Sequence, residues 1–273
     1  MNSVIYVNSK KDSWYNKNSF FSAFKEKFTI NIQEVQYIEE LNLKIKKVNF
    51  PTNINEIAFA KNMRIASNIL KHEKSCLAPR TYRMLDYNYL TNFQKDLMGQ
   101  GVLFTLKLFL RTNNKSLKNS AIVLYDAADP INQNIIKLLA KSAKFLILLS
   151  NNISKTKKLS DYITSNYGIS PVVTTDIDYS LKIADAVILS KEINIDKKIP
   201  VWCFNNLYAP KLENGIYIND FSFNVPWSKE QYPAELLGAI LGQMQEKDAE
   251  KSLITNEIFL DKIRFNDKVI EFA

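Results

Sequence analysis

The sequence predicts an α/β protein in which an N-terminal α/β domain is followed by a doubly wound parallel sheet, and three observations support this. Apolar runs at 121–125 and 145–149 have the length of buried strands. Apolar residues at helical spacing lie between them, which gives a strand, a turn, a helix and a strand. The alternation then repeats, as a doubly wound sheet requires. The repeat consists of a helix at 154–167, a strand at 172–174, a helical piece at 179–183 and a strand at 186–189.

Length and composition limit the number of domains and the kinds of partner. The 273 residues, 46% of them hydrophobic, are enough for two cores. The net charge of +8 is spread along the chain without a basic run that alternates with aromatics, so we predict no nucleic-acid partner. No apolar run is long enough to span a bilayer, and the N-terminus does not resemble a signal peptide, so we predict a cytoplasmic protein without a membrane partner. The predicted domains are 1–112, 113–245 with the parallel sheet, and a C-terminal segment at 246–273 that packs back on the first domain.

The N-terminal domain is predicted from two helix caps and several short apolar patterns. Asn53 with Glu56 forms a capping box, and so does Thr91 with Gln94. The helices that these caps begin are expected to end near His72 and Arg111. Further elements are strands at 4–7 and 43–48, a helix at 20–28, and an irregular stretch at 76–86.

The irregular stretch contains Arg80 and Arg83, two of only five arginines. Guanidinium groups bind carboxylates and phosphates through two parallel hydrogen bonds, so one hypothesis is that this pair holds a small anionic substrate. The alternative is that both arginines pair with Asp86, Asp96 or carbonyl groups of the same domain. His72 and Cys76 share a helical spacing, but a metal site needs further ligands, and we predict no metal.

The C-terminal third continues the sheet and then changes pattern. Strands are predicted at 199–204 and 215–220. A helix that begins at Pro233 is expected to pack on the parallel sheet. Residues 254–272 have helical spacing in part and are expected to return to the first domain.

Three short motifs resemble the two-domain fold of shikimate dehydrogenases and glutamyl-tRNA reductases. They are Asp-Leu-Met-Gly at 96–99, Ser-Asn-Asn-Ile-Ser-Lys at 150–155, and Ala-Asp followed by an apolar strand at 184–188. The resemblance covers roughly residues 96 to 190. It implies a Rossmann-type domain, NADP as the cofactor and Asp96 as the catalytic residue. It also implies a set of cofactor-binding residues at the ends of the first, second and fourth strands: Asp126, Ala128, Asp129, Ser150, Asn151, Asn152, Lys155 and Ser190.

The turn after the first strand departs from that family. The three glycines of the family's fingerprint would fall on Asp126, Ala128 and Ile131, and all three are replaced. Asp126 and Asp129 place negative charge where phosphates would approach the helix N-terminus. Asn151 stands in place of the arginine for the 2′-phosphate, although Lys155, Lys157 or Lys158 can supply a positive charge. The catalytic lysine of the family has no counterpart, since the residue at the comparable place is an asparagine.

Two interpretations of the acidic turn remain open. Asp129 followed by Pro130 is typical of a helix N-cap with proline at the first helical position. Asp126 lies at the carboxyl end of a strand, where open sheets bind ligands, and suits a ribose, a cationic group or, with Asp129, Mg²⁺.

Three hypotheses for function follow. The first is a Rossmann-like small-molecule-binding or regulatory module with altered or lost dinucleotide binding. The second is an NADP-dependent oxidoreductase with a small anionic substrate, and the third is a non-catalytic structural or partner-binding protein. The sequence allows a homo-oligomer in each case.

Overall fold

A computed structural model describes residues 2–10, 32–51, 56–68, 75–80, 83–191, 193–195, 197–204, 216–266 and 268–271. The chain divides into two compact units. Unit 1 comprises residues 1–95 and 225–258, and unit 2 comprises residues 96–224 and 259–273. The predicted helix at 20–28 and the predicted capping residue Asn53 lie outside the described residues.

Unit 1 is built on a four-stranded sheet with the order β2-β3-β1-β4. The central strand β1 is parallel to both neighbours, and β2 is antiparallel to β3. Phe59, Met63 and Ala66 follow one face of the first helix at helical spacing and pack on apolar residues of β1 and β3. The elements of this part are β1 (Asn2–Lys10), β2 (Ile32–Ile38), β3 (Leu43–Pro51), α1 (Glu56–Asn68), β4 (Ser75–Arg80) and α2 (Arg83–Asp86).

The described residues of the stretch at 76–86, predicted to be irregular, form a strand and a helix. The strand is β4, which pairs in parallel with β1, and the helix is the short α2. Pro79 cannot donate a ladder hydrogen bond, but β4 is an edge strand, where proline is tolerated. The prediction of a loop carrying Arg80 and Arg83 was therefore wrong in its local structure, because the pairing partner of β4 lies about 70 residues earlier in the chain.

The second capping box is confirmed. The Thr91 N–H donates to Gln94 Oε1 at 2.8 Å, and the Gln94 N–H donates to Thr91 Oγ1 at 3.2 Å. The helix that follows, α3, runs over Asn92–Thr112, close to the predicted end. It is the longest described helix, and no helix in the described part of the chain is long and apolar enough to cross a membrane.

Unit 2 contains the predicted parallel sheet, which confirms the fold class. Six parallel strands have the order β10-β9-β8-β5-β6-β7, so the direction of winding reverses between β5 and β8. This is the strand order of a Rossmann fold. The elements are β5 (Ala121–Tyr125), α4 (Gln133–Ala140), β6 (Phe145–Leu149), α5 (Ile153–Tyr167), β7 (Val172–Thr174), α6 (Ile177–Ile183), β8 (Ala186–Leu189), β9 (Pro200–Cys203) and β10 (Ile216–Val225).

The last part of the chain is distributed differently from the expectation. Helix α7 (Ala234–Gln243), which was expected on the parallel sheet, packs on β1 and β4 of unit 1. It follows strand β11 (Ser228–Pro233) and precedes helix α8 (Ala249–Thr255). Strands β12 (Phe259–Phe265) and β13 (Lys268–Glu271) then extend the sheet of unit 2 as antiparallel strands. As borders of folding domains, 1–112, 113–245 and 246–273 stay a prediction.

Candidate functional site

The reversal of winding between β5 and β8 places a cavity of about 400 Å³ at the carboxyl edge of the sheet in unit 2. Connections leave a doubly wound sheet in opposite directions at such a point, and the gap between them is where these folds bind ligands. We call this cavity the crevice. Its lining consists of Tyr125, Asp126, Ala128, Asp129, Pro130, Leu149, Ser150, Asn151, Asn152, Lys155, Ile177 and Lys191.

Asp126 begins the turn after β5 in a left-handed backbone conformation, with φ of +56°. This region suits glycine best, and aspartate and asparagine tolerate it better than other residues with a side chain. The carboxylate Oδ2 of Asp126 lies 2.5 Å from Lys191 Nζ, across the point where the winding reverses. The hydrogen bond that Lys191 donates to Asp126 raises the pKa of Lys191 above its ordinary value, although burial works in the opposite direction, and the charge of Asp129 adds to the increase.

A buried asparagine, Asn132, forms hydrogen bonds with the turn after β5. Asn132 is fully buried, and its Nδ2 donates to the carbonyl oxygen of Asp126 at 3.0 Å and to Ser190 Oγ at 3.2 Å. A longer contact of 3.4 Å joins the same Nδ2 to the carbonyl oxygen of Tyr125. The amide therefore links the ends of β5 and β8.

The interpretation of Asp129 as a helix cap is confirmed. Its Oδ1 accepts a hydrogen bond from the Ile131 N–H at 3.0 Å, and Pro130 occupies the first position of a 3₁₀ turn that leads into α4. One oxygen of this carboxylate is thus occupied by the chain itself.

Backbone N–H groups of this turn, which would hold a phosphate in a dinucleotide site, are nearly all bonded within the protein. The Ala127 N–H donates to the carbonyl oxygen of Leu149, and the Asp129 N–H donates to that of Asp126. The N–H groups of residues 131, 132 and 133 donate to Asp129 Oδ1, Asp129 O and Pro130 O, and proline has none. Between residues 127 and 133, the Ala128 N–H is the backbone donor that bonds to no described residue. The chain itself therefore uses most of the N–H donors of this turn.

The second wall of the crevice follows β6. The Asn152 N–H donates to Ser150 Oγ, and Asn152 Oδ1 accepts from the Lys155 N–H, so both side chains stabilise the start of α5. Asn151 and Lys155 are exposed at this wall. Among the lining residues after β6, these two side chains are the ones that the α5 cap does not use.

Of the eight residues expected to bind a cofactor, seven line the crevice: Asp126, Ala128, Asp129, Ser150, Asn151, Asn152 and Lys155. The eighth, Ser190, lies at the end of β8 and accepts the hydrogen bond from Asn132. Their role in binding stays a prediction. Sequence reasoning missed Lys191 and Asn132. The position of Asn132 next to the apolar face of α4 could have predicted a buried amide. An exposed lysine such as Lys191 has no comparable signal in the sequence.

Asp96, which the resemblance implies to be catalytic, is half-buried in α3 and contacts α4. The Asn134 Nδ2 donates to its Oδ1 at 2.6 Å. Asp96 is not among the residues that line the crevice. A catalytic role for Asp96 stays a prediction, and its geometry shows a carboxylate held by an amide.

Arg83 lies in unit 1 in a buried ion pair. Its Nε is 3.4 Å from Glu235 Oε1, and the two side chains are 6% and 2% exposed. This contact accounts for the arginine without a ligand, and its partner, Glu235, is not one that the sequence suggested. Arg80 ends β4 and is half-buried. Substrate binding by Arg80 and Arg83 stays a prediction.

No group of three or more histidine, cysteine, aspartate or glutamate residues within the described ranges is arranged to hold a metal ion. His72 lies outside those ranges. Burial raises the pKa of the Cys76 thiol, which lies in β4.

No protein-family model matches the sequence, and no curated protein matches it. Among solved structures, a shikimate dehydrogenase in complex with NADP⁺ is 13% identical, with a TM-score of 0.44, over 90% of this chain and 96% of that chain. A quinate dehydrogenase from Corynebacterium glutamicum in complex with NAD is 12% identical, with a TM-score of 0.39, over 74% and 80%. An L-tryptophan dehydrogenase from Nostoc punctiforme is 11% identical, with a TM-score of 0.39, over 93% and 77%. These are distant resemblances in fold.

Proposed function

We propose that this protein is a Rossmann-like small-molecule-binding or regulatory module whose dinucleotide binding is altered or lost. The observation that carries the proposal is the hydrogen bonding of the turn after β5, where the chain itself occupies the N–H groups that a pyrophosphate would need. A phosphate at this turn would lose those donors and would also face two carboxylates.

The charges of the crevice indicate which ligand groups it favours. Carboxylates accept hydrogen bonds from hydroxyl and ammonium groups and repel phosphates. Asp126 already has a cationic partner in Lys191, and this partner is 63% exposed, so a ligand ammonium or hydroxyl group can replace it at small cost. On the opposite wall, Asn151 and Lys155 are available for a polar or anionic group. The favoured ligand is a small polar molecule that places a hydroxyl or cationic group against Asp126.

The test is a thermal-shift scan of the wild-type protein against NADPH, NADH, ATP, adenosine, S-adenosylmethionine and simple organic acids. A ligand that binds only the folded state raises the melting temperature by mass action. We expect a shift from a non-dinucleotide compound and none from NADPH or NADH.

Asp126→Asn shows whether the crevice is the binding site. It removes the charge and keeps a side chain that tolerates the left-handed backbone. Asp161→Asn, on the exposed face of α5, is the matched control for the change in net charge. A shift that the first variant reduces and the control preserves supports the proposal. A strong shift with NADPH in the wild-type protein would refute it, and no shift with any compound would favour the structural or partner-binding hypothesis.

The second candidate is an NADP-dependent oxidoreductase that acts on a small anionic substrate. Two observations favour it: Lys155 lines the crevice beside Asn151, where a 2′-phosphate needs a cation, and the Asp96 carboxylate is held in place by Asn134. Its test is the loss of NADPH absorbance with small keto acids as substrates. Turnover that Asp96→Asn abolishes without a change in melting temperature would establish this candidate and replace the first.

A further inference from the structure

A second cavity of about 340 Å³ lies beside the crevice in unit 2, along α4 and α5. We call it the lysine groove. Three lysines line it, and no carboxylate does. This separates it from the crevice, whose lining includes two aspartates. The lining residues are Ala127, Ala128, Gln133, Lys137, Lys155, Lys158, Leu159 and Tyr162.

The positive charge of the groove is not neutralised within the described part of the chain. None of the side chains of Lys137, Lys155 and Lys158 makes an ion pair with a described carboxylate, and the one side-chain contact among them joins Lys137 to an aromatic ring. The Lys137 ammonium lies 5.6 Å from the ring centre of Tyr162, a cation–π contact that keeps it beside the groove. Like charges around one cavity repel each other, and an anion between them removes that repulsion.

Neutral donors complete the lining. Ala127 and Ala128 are buried and small, so a ligand can come close to the backbone at the end of the groove. The Ala128 N–H is the donor that the turn leaves unused. The Gln133 side chain adds an amide N–H₂ group. An anion with several acceptor oxygens can engage lysines from two helices together with these groups.

We propose that the lysine groove binds a phosphate group, with Lys137, Lys155 and Lys158 as its cationic partners. A phosphate carries up to two negative charges and three acceptor oxygens at one centre, which suits three lysines around one cavity better than a single carboxylate would. Two sources share this chemistry: free phosphate, and the phosphate of a larger ligand that also occupies the crevice. The second source is compatible with the structure because Ala128 and Lys155 line both cavities.

The experiment is a calorimetric titration with inorganic phosphate at constant ionic strength on the wild-type protein and on Lys137→Ala and Lys158→Ala. Lys157→Ala is the matched control, because Lys157 is an exposed neighbour on α5 that lines neither cavity. We expect saturable binding that each groove variant weakens by about tenfold, as loss of one charge-assisted hydrogen bond does, and that the control leaves within about twofold. Equal weakening by Lys157→Ala, or no saturable binding of phosphate to the wild-type protein, would overturn the proposal.

Adenosine 5′-monophosphate in the same titration assigns the source. If adenosine 5′-monophosphate binds more tightly than inorganic phosphate, and if Lys158→Ala and Asp126→Asn both weaken its binding, the ligand is a larger molecule that spans both cavities. Binding no tighter than inorganic phosphate supports a free anion. Asp126→Asn changes the crevice and leaves the three lysines in place. Failure of the proposed function would therefore appear in the ligand scan with Asp126→Asn, whereas failure of the groove proposal would appear in the phosphate titrations of Lys137→Ala and Lys158→Ala.

Discussion

Substitutions at Asp126 test whether the turn that closes the crevice depends on a left-handed backbone or on charge. Asp126 has φ of +56° and an ion pair with Lys191. Asparagine keeps the tolerance for this backbone and loses the charge, glycine removes the Cβ atom, and alanine keeps the Cβ atom without a polar side chain. The three variants therefore separate two contributions to the free energy of unfolding.

The expected magnitudes follow from exposure and conformation. Because Lys191 is 63% exposed, the ion pair contributes at most about 1 kcal/mol. The Cβ atom of alanine in the left-handed region costs about 1–2 kcal/mol. Asp126→Asn should thus lie within about 1 kcal/mol of the wild type, and Asp126→Ala should be less stable than Asp126→Gly by about 1 kcal/mol, since glycine also loses more entropy on folding.

Urea unfolding followed by circular dichroism measures this order. Asp161 is the control position, because it lies within α5, where the helical backbone reverses the preference. There the alanine variant should be more stable than the glycine variant by about 1 kcal/mol. If Asp126→Ala is as stable as Asp126→Gly and Asp126→Asn, the turn does not have the left-handed backbone described. The explanation that the chain occupies the phosphate donors of this turn then fails as well.

Three further predictions concern stability. Arg83→Met should lower the free energy of unfolding by about 3–5 kcal/mol, because it leaves the Glu235 carboxylate buried and unpaired, and adding Glu235→Leu should recover much of that loss in urea unfolding. Gly101→Ala should destabilise by about 1–3 kcal/mol in the same assay, since its Cβ atom would overlap an aromatic ring, whereas Gly242→Ala meets no atom and should not. Because the pKa of Lys191 is raised in the folded protein, its ion pair adds stability below the ordinary pKa of 10.5, and this stability is lost as the pH rises through the folded-state pKa. The wild type should therefore be more stable than Asp126→Asn at neutral pH, and in urea unfolding this difference should shrink above pH 10.5.

The parallel sheet could be predicted from the sequence almost to the residue. Strands β5, β6, β7 and β8 have the predicted bounds. Strands with both faces covered by helices are continuous apolar runs, and short apolar runs that alternate with amphipathic helical segments are typical of such strands. Seven of the residues that line the crevice could be named for the same reason, because the end of each strand fixes where the following residues lie.

The parts that could not be predicted depend on contacts between residues far apart in the chain. Strand β4 has a proline and an arginine near its end, and only pairing with β1 makes it a strand. Lys191 contacts Asp126 across 65 positions, and nothing local distinguishes it from the other basic residues. Glu235 reaches Arg83 across 152 positions. Strands β12 and β13, expected to belong with the first domain, extend the sheet of unit 2 because β10 offers them a free edge.

The hydrogen bonds of the turn after β5 explain how it forms without glycine, and they lead to a final prediction. The Asp129 cap and the Asn132 amide fix the turn by hydrogen bonds within the protein. The cap and the backbone bonds of the turn also use the N–H groups that would hold a phosphate. Restoring glycine at Asp126 and Ala128 alone should therefore not restore dinucleotide binding, although it removes one negative charge. Adding Asp129→Ala to this double variant frees the Ile131 N–H and removes the second carboxylate. NADPH titrations of the double and triple variants test this. Tight binding to the double variant would show that the missing glycines, and not the occupied donors, exclude a dinucleotide.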